Sequence, residues 1–84
     1  TIDNIDSKDM VLRGMLNGIN IRSHTFEMSV EELGLVKGNA LPETLMAIVE
    51  RIGTEITANM IKSKSLTKAG VQSISWYMSS VKVQ

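Results

Sequence analysis

The longest run of regularly spaced apolar residues in the chain extends from Leu41 to Lys62. Pro42 stands where a helix begins, because proline suits the first helical position and lacks only an N–H that would be unpaired there. Six apolar residues then recur at helical spacing: Leu45, Ile48, Val49, Ile52, Ile56 and Met60. About twenty residues at ~1.5 Å each predict a helix of roughly 30 Å, with Ile52 at the centre of its buried face.

A shorter amphipathic helix is predicted ahead of this one. It begins at a cap provided by Asp6 or Ser7, and Gly14 is expected to let it approach the long helix closely. Its apolar residues follow the spacing i, i+3, i+4, i+7: Leu12, Met15, Leu16 and Ile19. Residues 20–27 have no helical period, so an extended connector is expected there.

Two further helices complete the predicted fold. Ser29 and Glu32 have the spacing of a capping box, which predicts a short helix from Val30 to Val36. A last helix, capped by Ser65 or Thr67, is predicted from its apolar positions: Val71, Ile74, Met78 and Val81. The sequence therefore predicts an all-α fold, a single domain over residues 1–84 with four to five helices packed on one long central helix.

The residue inventory gives little support for catalysis or metal binding. The chain has 84 residues, no cysteine and one histidine, His24, so thiolate metal sites and cysteine nucleophiles are excluded. No serine–histidine–aspartate spacing and no glycine-rich phosphate loop is present. We therefore predict a protein that is not an enzyme, with no cofactor and no metal. The polar, acidic start and the lack of an apolar run of ~18 residues favour a cytoplasmic location without membrane contact.

Charge is distributed unevenly although the net charge is zero. All nine acids lie at or before Glu55, where five bases leave a net charge of −4, and the four lysines that follow give +4. Such a division is typical of a surface with an oppositely charged partner, although it is also compatible with a merely solvated face. The candidate partner-binding residues are Lys62, Lys64, Lys68, Arg51, Trp76 and Tyr77. Lysines would attract an acidic segment and the aromatic residue would anchor it.

The carboxy-terminal segment resembles part of a known viral domain. Ser63-Lys64, Leu66, Val71, Trp76, Ser79, Ser80 and Lys82 are similar to a segment of rhabdovirus phosphoprotein C-terminal domains. This resemblance, over roughly residues 63–82, implies a helical, nucleocapsid-binding module in the host-cell cytoplasm or the virion. Such a module docks the phosphoprotein, and indirectly the viral polymerase, on an acidic loop of the nucleoprotein that coats the RNA. The remaining sequence departs from the animal-virus members, which indicates a divergent, plant-infecting member.

By position, the resemblance implies that Lys62, Lys64 and Lys68 form the basic patch and that Trp76 is the exposed tryptophan. It implies no sequence-specific contact with nucleic acid.

Two other functions remain open from the sequence. Residues 29–34 followed by Pro42-Glu43-Thr44-Leu45 have the outline of a DNA-binding helix-turn-helix, although Glu43, with Glu50 and Glu55 further along, would repel phosphate. Alternatively, the long helix could pair with its own copy in a small oligomerisation domain, although its apolar period is not a sustained heptad.

Overall fold

The computed structural model describes residues 3–66 and 69–82, and most of these residues lie in β-strands. The strands are β1 (Asp3–Asn20), β2 (Thr25–Val30), β3 (Gly34–Ala40), β4 (Glu55–Leu66) and β5 (Gln72–Lys82). One helix, α1 (Pro42–Ile48), and a single 3-10 turn, Val49–Arg51, connect β3 to β4. The strands form a closed barrel in the order β1-β2-β3-β5-β4, in which β3 and β5 are parallel and the other pairs antiparallel.

The predicted all-α fold is therefore wrong, and β1 shows why. Leu12 and Leu16 are buried, as either a helix or a strand would require, because positions four apart share a face in both. The residues between them distinguish a strand from a helix, since Gly14 is buried and Met15 is 49% exposed. Alternate burial is the period of a strand with one face on the core.

The long central helix is the largest correction. Its start at Pro42 agrees with the structure, but α1 ends at Ile48 and the 3-10 turn ends at Arg51. Gly53 then takes a positive φ of 89° and the Thr54 side chain donates a hydrogen bond to the Arg51 carbonyl, which reverses the chain into β4. Ile52, predicted at the centre of the buried face, is 42% exposed in this reversal.

The segments predicted as the short and the last helix are also strands. Ser29 caps no helix, because it lies within β2 and its hydroxyl accepts a hydrogen bond from the Asn17 side-chain amide at 2.8 Å. The predicted short helix falls on the β2–β3 turn and β3, and the predicted last helix is β5. Consequently the described residues contain neither the two helices of the predicted helix-turn-helix nor the long helix that was expected to pair with its own copy.

The barrel interior is filled by alternate residues of every strand and by α1. The buried apolar residues are Leu12, Leu16, Phe26, Met28, Val30, Val36, Ala40, Leu45, Ile48, Ile56, Ala58, Met60 and Met78. Gly14 allows close approach to β2 and not to a helix, because a Cβ there would collide with the Ser29 carbonyl oxygen. No helix in the described ranges is long and apolar enough to cross a membrane.

Candidate functional site

Three strands continue beyond the part of the barrel that all five strands share. β2 pairs with β1 only at residues 15–20, and β3 pairs with β5 only at Asn39 and Ala40. Residues 3–8 of β1, 62–66 of β4 and 72–76 of β5 therefore pair only with each other in the described structure. We call this three-stranded sheet the arm.

One side of the arm brings together three lysines and the tryptophan. Lys8, Lys62 and Trp76 lie directly opposite one another on β1, β4 and β5, and Lys64 lies two residues further along β4. Side chains of opposed residues share a face, and residues two apart on one strand share it too. Lys8, Lys62, Lys64 and Trp76 thus form one surface, called here the lysine–tryptophan face.

This face continues the inward-facing row of the barrel. Met10, Met60 and Met78 lie opposite one another in the neighbouring row of the same three strands, and Met60 and Met78 are fully buried. Trp76 packs against this core and is only partly exposed. Its backbone also contacts β3, because a Cβ added to Gly38 would collide with the Trp76 carbonyl oxygen. The core therefore holds Trp76 in a fixed position while part of its surface remains accessible.

The charges of the lysine–tryptophan face are mainly positive. The Lys62 ammonium lies over the Trp76 ring, 5.5 Å from its centroid, a geometry in which the ring attracts the cation. Lys8 and Lys62 are directly opposed, and like charges in opposed positions destabilise a sheet. Asp6, opposite Lys64, is the only carboxylate in these two rows, so positive charge prevails. A bound anion would relieve this repulsion.

The sequence-predicted residues are only partly brought together. Lys62, Lys64 and Trp76 share the lysine–tryptophan face, whereas Tyr77, the next residue on β5, lies opposite Ile61 on the reverse side. Arg51 belongs to the other end of the molecule, beside Lys82, and six residues of β5 place Lys82 about 20 Å from Trp76. Lys68 lies outside the described residues.

Lys8 was missed because its relation to Lys62 depends on strand register. The two residues are 54 positions apart in the sequence, and no local pattern connects them. An alternating strand assignment for residues 6–16 is the signal that would have placed Lys8 on the same face as Leu12. Because these residues were assigned to a helix, the shared face of Lys8 and Leu12 was not recognised.

A second concave surface lies between the end of β1 and the β2–β3 pair. This cavity of about 540 Å³ is lined by polar residues that include Asn17, Thr25 and Asn39. Lys37 and Glu27, which also line it, are opposed on β3 and β2 and form an ion pair at 3.7 Å, so their charges largely offset each other. Its aromatic residue, Phe26, is only 2% exposed. The cavity therefore offers neither a net charge nor an accessible ring for a charged ligand.

No group of three or more histidine, aspartate or glutamate side chains in the described ranges is arranged to hold a metal ion. His24 lies in the β1–β2 turn with a positive φ of 57°. The same turn is fixed by Asn20, whose side-chain oxygen accepts hydrogen bonds from the backbone N–H groups of Arg22 and Ser23. His24 therefore belongs to a turn whose conformation is set by the hydrogen bonds of Asn20.

No family model, curated protein or solved structure matches the chain. The fold class therefore follows from topology alone. A five-stranded Greek-key barrel in this order, with a helix between β3 and β4, is the arrangement of the OB fold. The rhabdovirus phosphoprotein resemblance stays a prediction, and the helical fold that it implies is not the fold of this chain.

Proposed function

We propose that the chain is a non-enzymatic binding module that holds single-stranded nucleic acid on its arm, without sequence specificity. The observation that carries this proposal is the alignment of Lys8, Lys62 and Trp76 on three adjacent strands, with Lys64 beside them. Proteins that bind single strands combine lysines that follow the phosphates with an aromatic ring on which a base stacks. The lysine–tryptophan face contains both components.

The position of the face supports the same ligand class. In OB barrels, ligands bind on the face of the second and third strands and at the loops that join β1 to β2 and β4 to β5, and the arm includes the strand ends on both sides of the second of these loops. Fold alone does not establish function, so the argument depends on the residues of the site. Lys62 stands over the Trp76 ring, so a base that stacks on that side would take the place of its ammonium, and the displaced lysine would be available to contact a phosphate.

An acidic protein segment is the competing ligand, and it is the partner that the phosphoprotein resemblance implies. It would use the same lysines, but it has no base to stack on the ring. Trp76 distinguishes between the two candidate ligands, because base stacking contributes about 1–3 kcal/mol per base and requires the aromatic ring. The tryptophan packed against the core at the edge of a lysine row therefore favours the nucleic acid.

Fluorescence titration tests the proposal directly, because Trp76 is the only tryptophan in the chain. Short oligothymidylate added at low salt should quench the Trp76 emission. Three lysine–phosphate contacts predict a slope of about −2 for log affinity against log salt, at roughly 0.7 per contact for single strands. Lys62→Glu combined with Lys64→Glu should weaken binding at least about tenfold and reduce that slope.

Lys82→Glu is the matched control, since it reverses one exposed charge on β5 at the end away from Trp76. Each single reversal at Lys62 or Lys64 should weaken binding clearly more than Lys82→Glu does. Polyglutamate, titrated in the same way, represents an acidic protein segment. Tight polyglutamate binding without oligothymidylate quenching would reject nucleic acid in favour of the protein partner. If the wild-type chain binds neither polymer, the lysine–tryptophan face is not an anion site.

A further inference from the structure

The lysine–tryptophan face continues for one more row toward the end of the arm. In this row Lys64 on β4 lies opposite Ile74 on β5. The preceding row contains a similar pair, with Lys62 opposite Trp76. Ile74 is two residues from Trp76 on an uninterrupted stretch of β5, so both side chains are on the same side of the sheet. Ile74 is 49% exposed, so its apolar surface is available to a ligand.

The two pairs repeat with one spacing. Two residues of a strand span about 6.5–7 Å, and neighbouring strands lie about 4.8 Å apart. The apolar side chains of β5 and the lysines of β4 thus form two parallel rows with the same repeat. A nucleic-acid strand has a matching arrangement, because its bases form one row and its phosphates another, with one of each per nucleotide. The face therefore provides two successive nucleotide positions, each with one apolar side chain and one lysine.

We propose that two successive bases of a bound single strand pack on Trp76 and Ile74, while the sugar–phosphate backbone follows β4. This inference rests on the proposed function and adds the second base position and the direction of the strand. Stacked bases in a duplex strand are about 3.4 Å apart, roughly half of the two-residue repeat of β5. The two bases must therefore separate from each other, which a single strand permits and a duplex resists. Isoleucine is one of the apolar side chains that pack against separated bases.

The charges of the second row favour this direction over a path across the sheet. Asp6 on β1 lies opposite Lys64, and its carboxylate would repel a phosphate that crosses from β4 toward β1. In the first row Lys8 has the corresponding position, beside Lys62, and attracts the backbone from the side. A backbone that stays over β4 therefore meets all three lysines and avoids the carboxylate.

Ile74→Tyr tests the second base position through a gain of affinity, which loss of the fold cannot produce. A tyrosine ring offers a base a larger stacking surface than isoleucine does. The variant should therefore bind an oligothymidylate of about eight nucleotides at least about fivefold more tightly than the wild type. Ile74→Ala should bind it at least about threefold more weakly. Quenching of Trp76 emission measures both affinities at low salt, with excitation at the red edge of the absorption band, where tyrosine does not contribute.

Ser75→Tyr is the matched control. Ser75 is the next residue on β5 and is also exposed, but it faces the reverse side of the arm. That variant should bind as the wild type does. A second control is an oligomer of the same length in which every second base is absent, because it keeps the phosphates but has no two successive bases. On this oligomer Ile74→Tyr should bind within about twofold of the wild type.

The outcomes distinguish this inference from the proposed function. If oligothymidylate does not quench the emission of the wild-type chain, both are wrong. If it does, while neither substitution of Ile74 changes the affinity, the face binds one base and only the second position is wrong. An equal gain for Ser75→Tyr, or for Ile74→Tyr on the oligomer with alternate bases absent, would also overturn the inference, because the added ring would then act without a second base.

Discussion

Ile48→Ala is expected to lower the free energy of unfolding by about 2–5 kcal/mol, the usual cost of truncating a fully buried isoleucine. Ile48 is 0% exposed and, with Leu45, it forms the part of α1 that fills the barrel interior. The cost combines the lost burial of three carbon atoms with the cavity that they leave. For a chain of 84 residues this is a large share of the total stability.

Ile52→Ala is the matched control for this prediction. The two isoleucines are four residues apart and belonged to the same predicted stripe, but Ile52 is 42% exposed. The control should therefore change stability by less than about 1 kcal/mol. Urea unfolding followed by circular dichroism gives both values, since the midpoint shifts with stability while the slope stays constant. Equal losses for the two variants would mean that α1 continues to Ile52 as a buried helix.

The contrast between these isoleucines explains how the helical prediction failed. Residues 45, 48, 49, 52, 56 and 60 satisfy a helical period, but residues 56, 58 and 60 also satisfy the alternation of a strand. Ala58 is fully buried in β4, but a small residue such as alanine does not by itself predict a buried position in a strand. Gly53 supplied the missing signal, because a glycine inside a helical pattern is compatible with a bend, a close contact or, as here, a chain reversal.

Predictions of local structure agree with the fold where they depended on only a few residues. The start of α1 at Pro42 was predictable, because proline at the first helical position needs no tertiary information. The lack of a helical period predicted an extended connector over residues 20–27; Asn20 and residues 25–27 do lie in strands, whereas residues 21–24 form the β1–β2 turn. Strand pairing was not predictable from these patterns, because the contacts that define the barrel join residues far apart in the sequence.

The site was predictable in composition and not in geometry. The excess of lysine after Glu55 selected Lys62, Lys64 and Trp76, which do share a face. Separating Trp76 from Tyr77, however, requires the alternation of a strand, since neighbours on a strand point to opposite sides. Adding Lys8 requires the β1–β4 register as well.

Gly38→Ala is expected to disturb both the fold and the site. Gly38 lies where β3 meets β5, and a Cβ there would collide with the Trp76 carbonyl oxygen and lie 2.8 Å from the Trp76 Cβ. A rigid backbone atom cannot give way as a side-chain tip can, so the two strands must separate. Overpacking of this kind costs about 1–3 kcal/mol, and more where backbone has to move.

The matched control is Gly18→Ala, because a Cβ at Gly18 meets no atom within 4 Å. This variant should retain wild-type stability within about 0.5 kcal/mol. Gly38→Ala should in addition shift the emission of Trp76 in the folded state, since the strand that carries the ring is displaced. If Gly38→Ala kept wild-type stability and emission, β3 and β5 would not be in contact. The barrel would then be open between β3 and β5, and the fixed position of Trp76 on which the proposed stacking depends would be lost.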